Sequence, residues 1–191
     1  MDYTKEALAE YIACYKSPAY FIQTYLGNFR NITEPLVSEN CLLVKDHSGN
    51  DHLNILAYIV WCLTFQYERT IGIISKDTKH SKITRRELLD LYENVPEFFR
   101  QPIRTNTSSA LKLANGMKIL FGPNLTHVRG HGISMFYGDD YANWPGLQQQ
   151  IGIFGYFHVW AAIRTKVILS DRITTGFEQL WNTSSIFGKI G

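Results

Sequence analysis

Apolar residues in this chain fall into short uninterrupted runs, separated by longer stretches with helical spacing. Ala7, Leu8, Tyr11, Ile12 and Tyr15 recur at steps of three and four, which predicts an amphipathic helix over 4–16. Ser17-Pro18 restarts the chain, since serine suits an N-cap and proline the first helical turn, and a second helix is expected over 19–26. Residues 27–40 are polar and carry Gly27, Asn28, Asn31 and Pro35, so they read as a loop. The run 41–44 reads as a central strand. A polar loop, 45–52, then opens a helix from about Leu53 to Phe65. A strand over 70–75 and a charged helix over 78–92 follow, the helix closed by Pro96. Asn115-Gly116 between the runs 110–114 and 117–121 is a hairpin signal. A strand over 133–137 runs out into Gly138, Asp139 and Asp140. Helix is expected over 146–163, a strand over 166–170 and a short helix over 177–186.

This alternation predicts an α/β fold: a mostly parallel sheet with helices on both faces and one β-hairpin at about 110–121. The strands are short and continuously apolar, as expected where both faces are covered. One domain spanning 1–191 accounts for the pattern, with 1–40 as a helical lead-in and loop and 41–191 as the α/β core. In such folds functional groups gather beyond the carboxyl ends of the strands, here the loops 45–52, 138–146 and 170–176.

Composition narrows the class. Apolar residues make up 45% and aromatics 14%, which excludes a disordered chain. A net charge of +2 does not by itself argue for a nucleic-acid partner. Cys14, Cys41 and Cys62 are too scattered for a disulfide framework or a zinc site. The first residues show no signal-peptide pattern, and the longest apolar run, 55–65, is too short to span a bilayer and reads as a buried helix.

Candidate chemistry centres on Asp139 and Asp140. A carboxylate at the end of a buried strand can hold Mg²⁺, and a neighbour can orient an attacking water. The bland alternative is a turn with a solvated acidic pair. The loop holding Lys45, Ser48, Gly49, Asn50, Asp51 and His52 stands where a phosphate loop belongs. It retains one glycine, an acid about where the lysine is needed, and an imidazole about where the Mg²⁺-binding hydroxyl is needed. Lys45 is the nearest replacement cation; an ordinary capped turn is the alternative. His47, Asp51 and His52 invite a metal reading but complete no ligand motif. Lys76, Lys79, Lys82, Arg85 and Arg86 cluster on the helix after 70–75. Of these, Lys79, Lys82 and Arg86 share a face that either tracks a phosphate backbone or is simply solvated. Arg129 precedes the acidic strand, where it either reaches a phosphate, pairs with Asp139 or Asp140, or belongs to a glycine turn. Trp144, Tyr156, Phe157 and Trp160 read as core rather than a base-stacking platform.

The order of these pieces resembles the ATPase domain of the large terminase subunit, the DNA-packaging motor of tailed bacteriophages. The pieces are 17–25, the strand 70–75 with its charged helix, the hairpin about Asn115-Gly116, Val128-Arg129-Gly130, the run 134–142, and 166–170 followed by Thr175-Gly176. The resemblance implies a P-loop NTPase fold of RecA-like type, with Asp139 as the Walker B metal ligand, Asp140 in place of the catalytic glutamate, and Ser170, Asp171 and Arg172 at the coupling position. Gly49-Asn50-Asp51-His52 departs from the family's Gly-Lys-Ser/Thr, leaving a degenerate Walker A. The adenine-binding segment and the nuclease domain of the family have no counterpart in these residues.

Three functions follow as expectations. The first is a terminase-like pseudo-ATPase, a binding or assembly component of phage DNA packaging that needs no cofactor. The second is a divergent but active ATPase using ATP and Mg²⁺. The third is a metal-dependent nuclease or hydrolase built on Asp139 and Asp140. Double-stranded DNA, or phage packaging or head proteins, are the implied partners. The resemblance places the protein in the cytoplasm of the infected host, with no membrane association.

Overall fold

The computed structural model describes residues 4–27, 33–45, 50–144, 165–171 and 188–190. The chain enters through α1 (Lys5–Lys16), whose first turn is capped by Thr4 Oγ1 accepting from Ala7 N at 3.2 Å. Ser17 caps α2 (Pro18–Phe21) in the same way, accepting from Tyr20 N at 3.1 Å, with proline in the first turn. The helix expected over 19–26 is present, but its second half, Ile22–Leu26, is wound as a π-helix that stops at Gly27, φ 123°. The stretch 27–40, expected to be loop, contains the short helix α3 (Thr33–Ser38). Its only buried apolar anchor is Leu36, too little to give a periodic signal. Lys166 Nζ holds its end, donating to Leu36 O at 2.8 Å and also to Glu39 O. That supplies the cation a helix C-terminus favours.

The core follows as β1 (Cys41–Lys45), α4 (Asp51–Phe65), β2 (Thr70–Ile74), α5 (Thr78–Glu93), β3 (Ile103–Asn106), β4 (Ala110–Leu113), β5 (Lys118–Gly122), β6 (Met135–Gly138), β7 (Lys166–Asp171) and β8 (Gly188–Ile190). They form one sheet in the order β3-β4-β5-β2-β6-β7-β1-β8. Every pairing from β5 to β8 is parallel, and β3 and β4 extend the sheet antiparallel. The edge strands β3 and β8 are additions to the sequence reading. β3 is exposed at all four positions, and so lacks the alternation that marks a half-buried strand. The segments expected to be helical over 146–163 and 177–186 lie outside the described residues.

Alternation along the strands divides the apolar side chains between two layers. Leu42, Val44, Ile71, Ile73, Ile119, Phe121, Met135, Tyr137 and Ile168 face α4, α5 and the lead-in helices. Cys41, Leu43, Ile74, Leu120, Phe136, Val167 and Leu169 face the other side, packed there with Val128, Tyr141 and Trp144. The all-apolar run in α4 is therefore a buried helix, with Ile55, Leu56, Ala57, Ile59 and Val60 fully enclosed. The lead-in is part of this core. Phe21 meets Phe65 edge-on at 5.2 Å, Phe65 meets Phe99 at 5.5 Å, and Trp61 Nε1 donates to Cys14 O at 2.9 Å. Edge-to-face aromatic pairs add roughly 1 kcal/mol each beyond their buried area.

Asn115 fixes the hairpin. Gly116 adopts φ 83°, a left-handed conformation that glycine takes without strain. The Asn115 amide donates to Leu63 O and Gln66 O, both at 2.9 Å, and its Oδ1 accepts from Met117 N at 3.2 Å. One side chain thus ties the turn to the end of α4. Asn115→Ala is expected to lower unfolding free energy by about 2 kcal/mol, since it orphans two carbonyls and an amide. Urea denaturation measures this, and a loss below about 0.5 kcal/mol, within the range of ordinary surface substitutions, would show the tie to be incidental.

Candidate functional site

The parallel strands end together, and the residues at the carboxyl ends of β2, β6 and β7 line one cleft. Ser75 and Lys76 follow β2, Asp139 and Asp140 follow β6, and Ser170 and Asp171 close β7. The cleft has a volume of about 360 Å³, and His52, Thr84 and Glu87 reach it from the helical side. β7 lies between β1 and β6, so the carboxyl end of β1 and the acidic end of β6 are two strand spacings apart, about 10 Å.

His52 joins this site through both ring nitrogens. It lies in the first turn of α4, which begins at Asp51 rather than at the expected Leu53. Asp51 and His52 are therefore helical residues, not loop. Nε2 lies 3.0 Å from Glu87 Oε2. Nδ1 lies 3.2 Å from Asp139 Oδ1 and 2.8 Å from the Tyr137 hydroxyl. Burial works against a charged imidazole here, but hydrogen bonds and charge from Asp139 and Glu87 outweigh it and push the His52 pKa up to about 10. His52 is consequently an imidazolium at neutral pH, with both nitrogens donating.

Asp139 is the counter-ion. Its oxygens accept from His52, from Thr84 Oγ1 at 2.9 Å and from the Tyr137 hydroxyl at 3.4 Å. Burial alone would raise this carboxyl. Hydrogen bonding and charge from His52, with the hydroxyls of Thr84 and Ser75, hold it below its ordinary value instead. Tyr137 also bonds Ser170 Oγ at 2.8 Å, so the expected coupling residue is tied into the same network. Asp139 N donates to Ile74 O at 2.8 Å, and Trp144 Nε1 donates to Asp139 O at 2.9 Å. Trp144 is thus core, and it also braces the acidic turn.

Asp140 faces elsewhere. Its backbone is left-handed, φ 53°. Its carboxylate pairs with Lys76 and accepts from Asn143 Nδ2 at 2.6 Å. The pairing partner is therefore Lys76, from the helix-side cluster, rather than Arg129, which is exposed. Asp139 and Asp140 are neighbours with separate counter-ions, not a shared acidic pair.

The remaining expected residues divide. Lys45 ends β1 in register with Asp171, whose side chain is buried. Asn50 O accepts from Asn54 N and Asn54 Nδ2 at 3.1 and 3.0 Å. Asp51 is fully buried in the first turn of α4, where a carboxylate complements the helix dipole. His47, Ser48, Gly49 and Arg172 lie outside the described residues, as do Tyr156, Phe157 and Trp160. Lys79, Lys82 and Arg86 lie on the solvent face of α5, and Arg85 turns instead to Asn106 on β3. Among the described residues no group of three or more His, Cys, Asp and Glu side chains is arranged to hold a metal ion. Sequence reasoning missed Thr84, Glu87 and Tyr137. Thr84 and Glu87 stand three apart on α5, a spacing that puts both on one face, and that polar pair is the signal that was available.

No family model and no curated protein matches the chain. Solved structures do. The large terminase ATPase domain of Thermus phage P74-26 superposes with a TM-score of 0.64 at 10% identity, covering 85% of this chain and 72% of that one. A point mutant of the same domain gives 0.61 at 10% identity, covering 80% and 68%. The large terminase of the thermophilic bacteriophage D6E gives 0.54 at 10% identity, over 88% of this chain and 42% of that one. The protein therefore has the fold of terminase ATPase domains, an α/β fold of P-loop, RecA-like type with a mostly parallel sheet.

The linked charges predict a pH dependence. The folded pKa of His52 lies above its unfolded value of 6.5, so its contribution to stability is complete below pH 6.5 and is lost as pH rises toward 10. Asp139 is shifted the other way, and its contribution is lost as pH falls through the acid range. Unfolding free energy of the wild type is expected to fall steadily from about pH 7 to 10. In His52→Gln it should be lower by about 3 kcal/mol at pH 7, because a buried pair loses one partner, and flat across that window. Denaturant titrations at a series of pH values read both, and parallel curves for the two proteins would contradict the assignment.

Proposed function

We propose that this chain is a terminase-like domain that acts as a binding or assembly component of phage DNA packaging without hydrolysing ATP. The observation that supports this most directly is the contact of His52 with Asp139 at 3.2 Å. In an ATPase of this fold, Asp139 would offer its carboxylate to Mg²⁺. Here a protonated imidazole stands at that carboxylate, backed by Glu87 and surrounded by the hydroxyls of Thr84 and Tyr137.

The donor set does not fit Mg²⁺. The ion wants near-regular octahedral oxygen coordination and keeps several of its waters. At Asp139 Oδ1 it would meet a fixed positive charge a hydrogen-bond length away, and like charges that close repel by several kcal/mol even at a moderate effective dielectric. The phosphate-binding positions argue the same way. The first turn of α4 carries a fully buried acidic residue, Asp51, about where a phosphate loop supplies a lysine. Asp140 is committed to Lys76 and Asn143, which leaves it poorly placed to orient a water for attack near Asp139. On this reading the domain keeps the scaffold as a platform for double-stranded DNA or for packaging or head proteins, in the host cytoplasm.

A differential scanning measurement with millimolar ATP and Mg²⁺ tests the proposal. A ligand at one hundred times its Kd stabilises by about 2.7 kcal/mol, a shift of several degrees for a domain of this size. No shift is expected. A clear shift, together with phosphate release that Asp139→Asn abolishes, would replace this reading with that of a divergent ATPase. Metal-dependent DNA cleavage lost in the same variant would favour a nuclease.

A further inference from the structure

β3 is an outer strand of the sheet: among the described residues no strand pairs with it on the side away from β4. Pro102 leads into it, and the whole run 102–109 is exposed. Thr107 N donates to Ala110 O, so Thr107 turns its main chain to β4. By the alternation of an antiparallel pair Thr105 does the same, and Asn106 turns its N–H and C=O to the open edge. Such an edge is a template for another strand, and natural edges are guarded by bulges, cations and proline. β3 has each of these: Pro102, Arg104, and a shift of register between Ile103 and Thr105. Together they discourage pairing with an arbitrary strand and leave the edge selective.

Cations stand on both faces of this edge. Thr105 pairs with Lys112, and Lys112 with Lys118 on the next strand. Leu111 and Ile119 are buried in the layer that packs with α5, so by alternation Lys112 projects from the opposite face. On the α5 face the Arg85 guanidinium donates to the Asn106 side chain. Arg104 is on β3 itself. From Phe98 to Gly138 there are five basic residues, Arg100, Arg104, Lys112, Lys118 and Arg129, and no Asp or Glu. That segment carries +5 in a chain whose total is +2. A strand laid along β3 would therefore meet positive charge on either face.

We propose that β3 receives an extended acidic segment of a partner protein as an added strand, its main chain pairing with the edge at Asn106 and its carboxylates meeting Arg104 and Lys112. In this mode of recognition main-chain hydrogen bonds supply affinity and side chains supply selectivity. The open edge presents a carbonyl as well as an N–H. Phosphate oxygens accept hydrogen bonds and would leave that carbonyl unpaired, whereas a peptide backbone satisfies both groups. A second copy of this chain fits worse, because pairing β3 with β3 across a two-fold axis would set two acid-free basic flanks against each other. β4 and β5 separate β3 from β2, so this edge is independent of the cleft.

Fluorescence anisotropy with a labelled peptide of about eight residues, alternating glutamate and valine, tests it. The wild type should bind this peptide. Affinity should fall at least about tenfold for the same peptide N-methylated at adjacent central residues, which loses a donor on each edge and keeps its charge. A peptide with lysine in place of glutamate should bind at least about tenfold more weakly, and Arg104→Glu with Lys112→Glu should reverse that preference. Asn106→Pro removes an N–H from the open edge, where a strand tolerates proline, and should weaken binding about tenfold while Tm holds within a few degrees. The methylated peptide decides the matter on the wild type even where that variant unfolds. Absence of binding by the acidic peptide would overturn the proposal. So would equal affinity for the methylated peptide, which would leave a charge patch of the kind a nucleic acid also uses. Self-association of the wild type that Asn106→Pro abolishes would give the edge to a second copy instead.

Discussion

One imidazolium sets the character of the cleft. His52 starts α4, Glu87 is on α5, Tyr137 and Asp139 end β6, and Ser170 ends β7. The ring donates to two carboxylates at once, and each carboxylate in turn depends on it for its charge balance. Because the ring is mostly buried, its desolvation is repaid only when both partners are in place. The angle between α4 and the sheet, the position of α5, and the side chain of the acidic turn are all constrained by that requirement. A Mg²⁺ ion bridging phosphate and carboxylate would join the same elements in an active nucleotide site, but reversibly, with ligand. Here side chains alone make the join.

Scaffold and site are maintained by different forces. Sheet order, the two apolar layers and the buried α4 are maintained by area burial, which tolerates wholesale change of identity so long as volume and pattern are kept. Chemistry at strand ends is set by a handful of polar atoms and is not protected in that way. A TM-score of 0.64 at 10% identity to a terminase ATPase domain is a likeness of architecture, which burial and pattern can maintain with few residues in common.

Much of the architecture was legible in the residues. Short apolar runs marked β1, β2, β5, β6 and β7, and Asn115-Gly116 marked the hairpin, because both signals are local. Helix α3 was hidden because its packing rests on Leu36 and on Lys166, which lies 130 positions away in the chain. The exposed edge strand β3 gave no alternation to read. At the site, the acidic end of β6 was visible, and the resemblance drew attention to Asp51 and His52. What the pattern could not carry was the partnership. Glu87 looked like dilution of a basic helix face until the fold brought it to His52 across 35 positions.

The left-handed backbone at Asp140 has a consequence of its own. Asparagine and aspartate enter that region several times more readily than other residues with a Cβ, because their short polar side chains bond locally. The bond from Asn143 to the Asp140 carboxylate is of that local kind. A longer acid would lose both the conformational tolerance and the reach to Asn143. The short acid at this position therefore suits the backbone's handedness. A glutamate substituted here would have to reshape the turn.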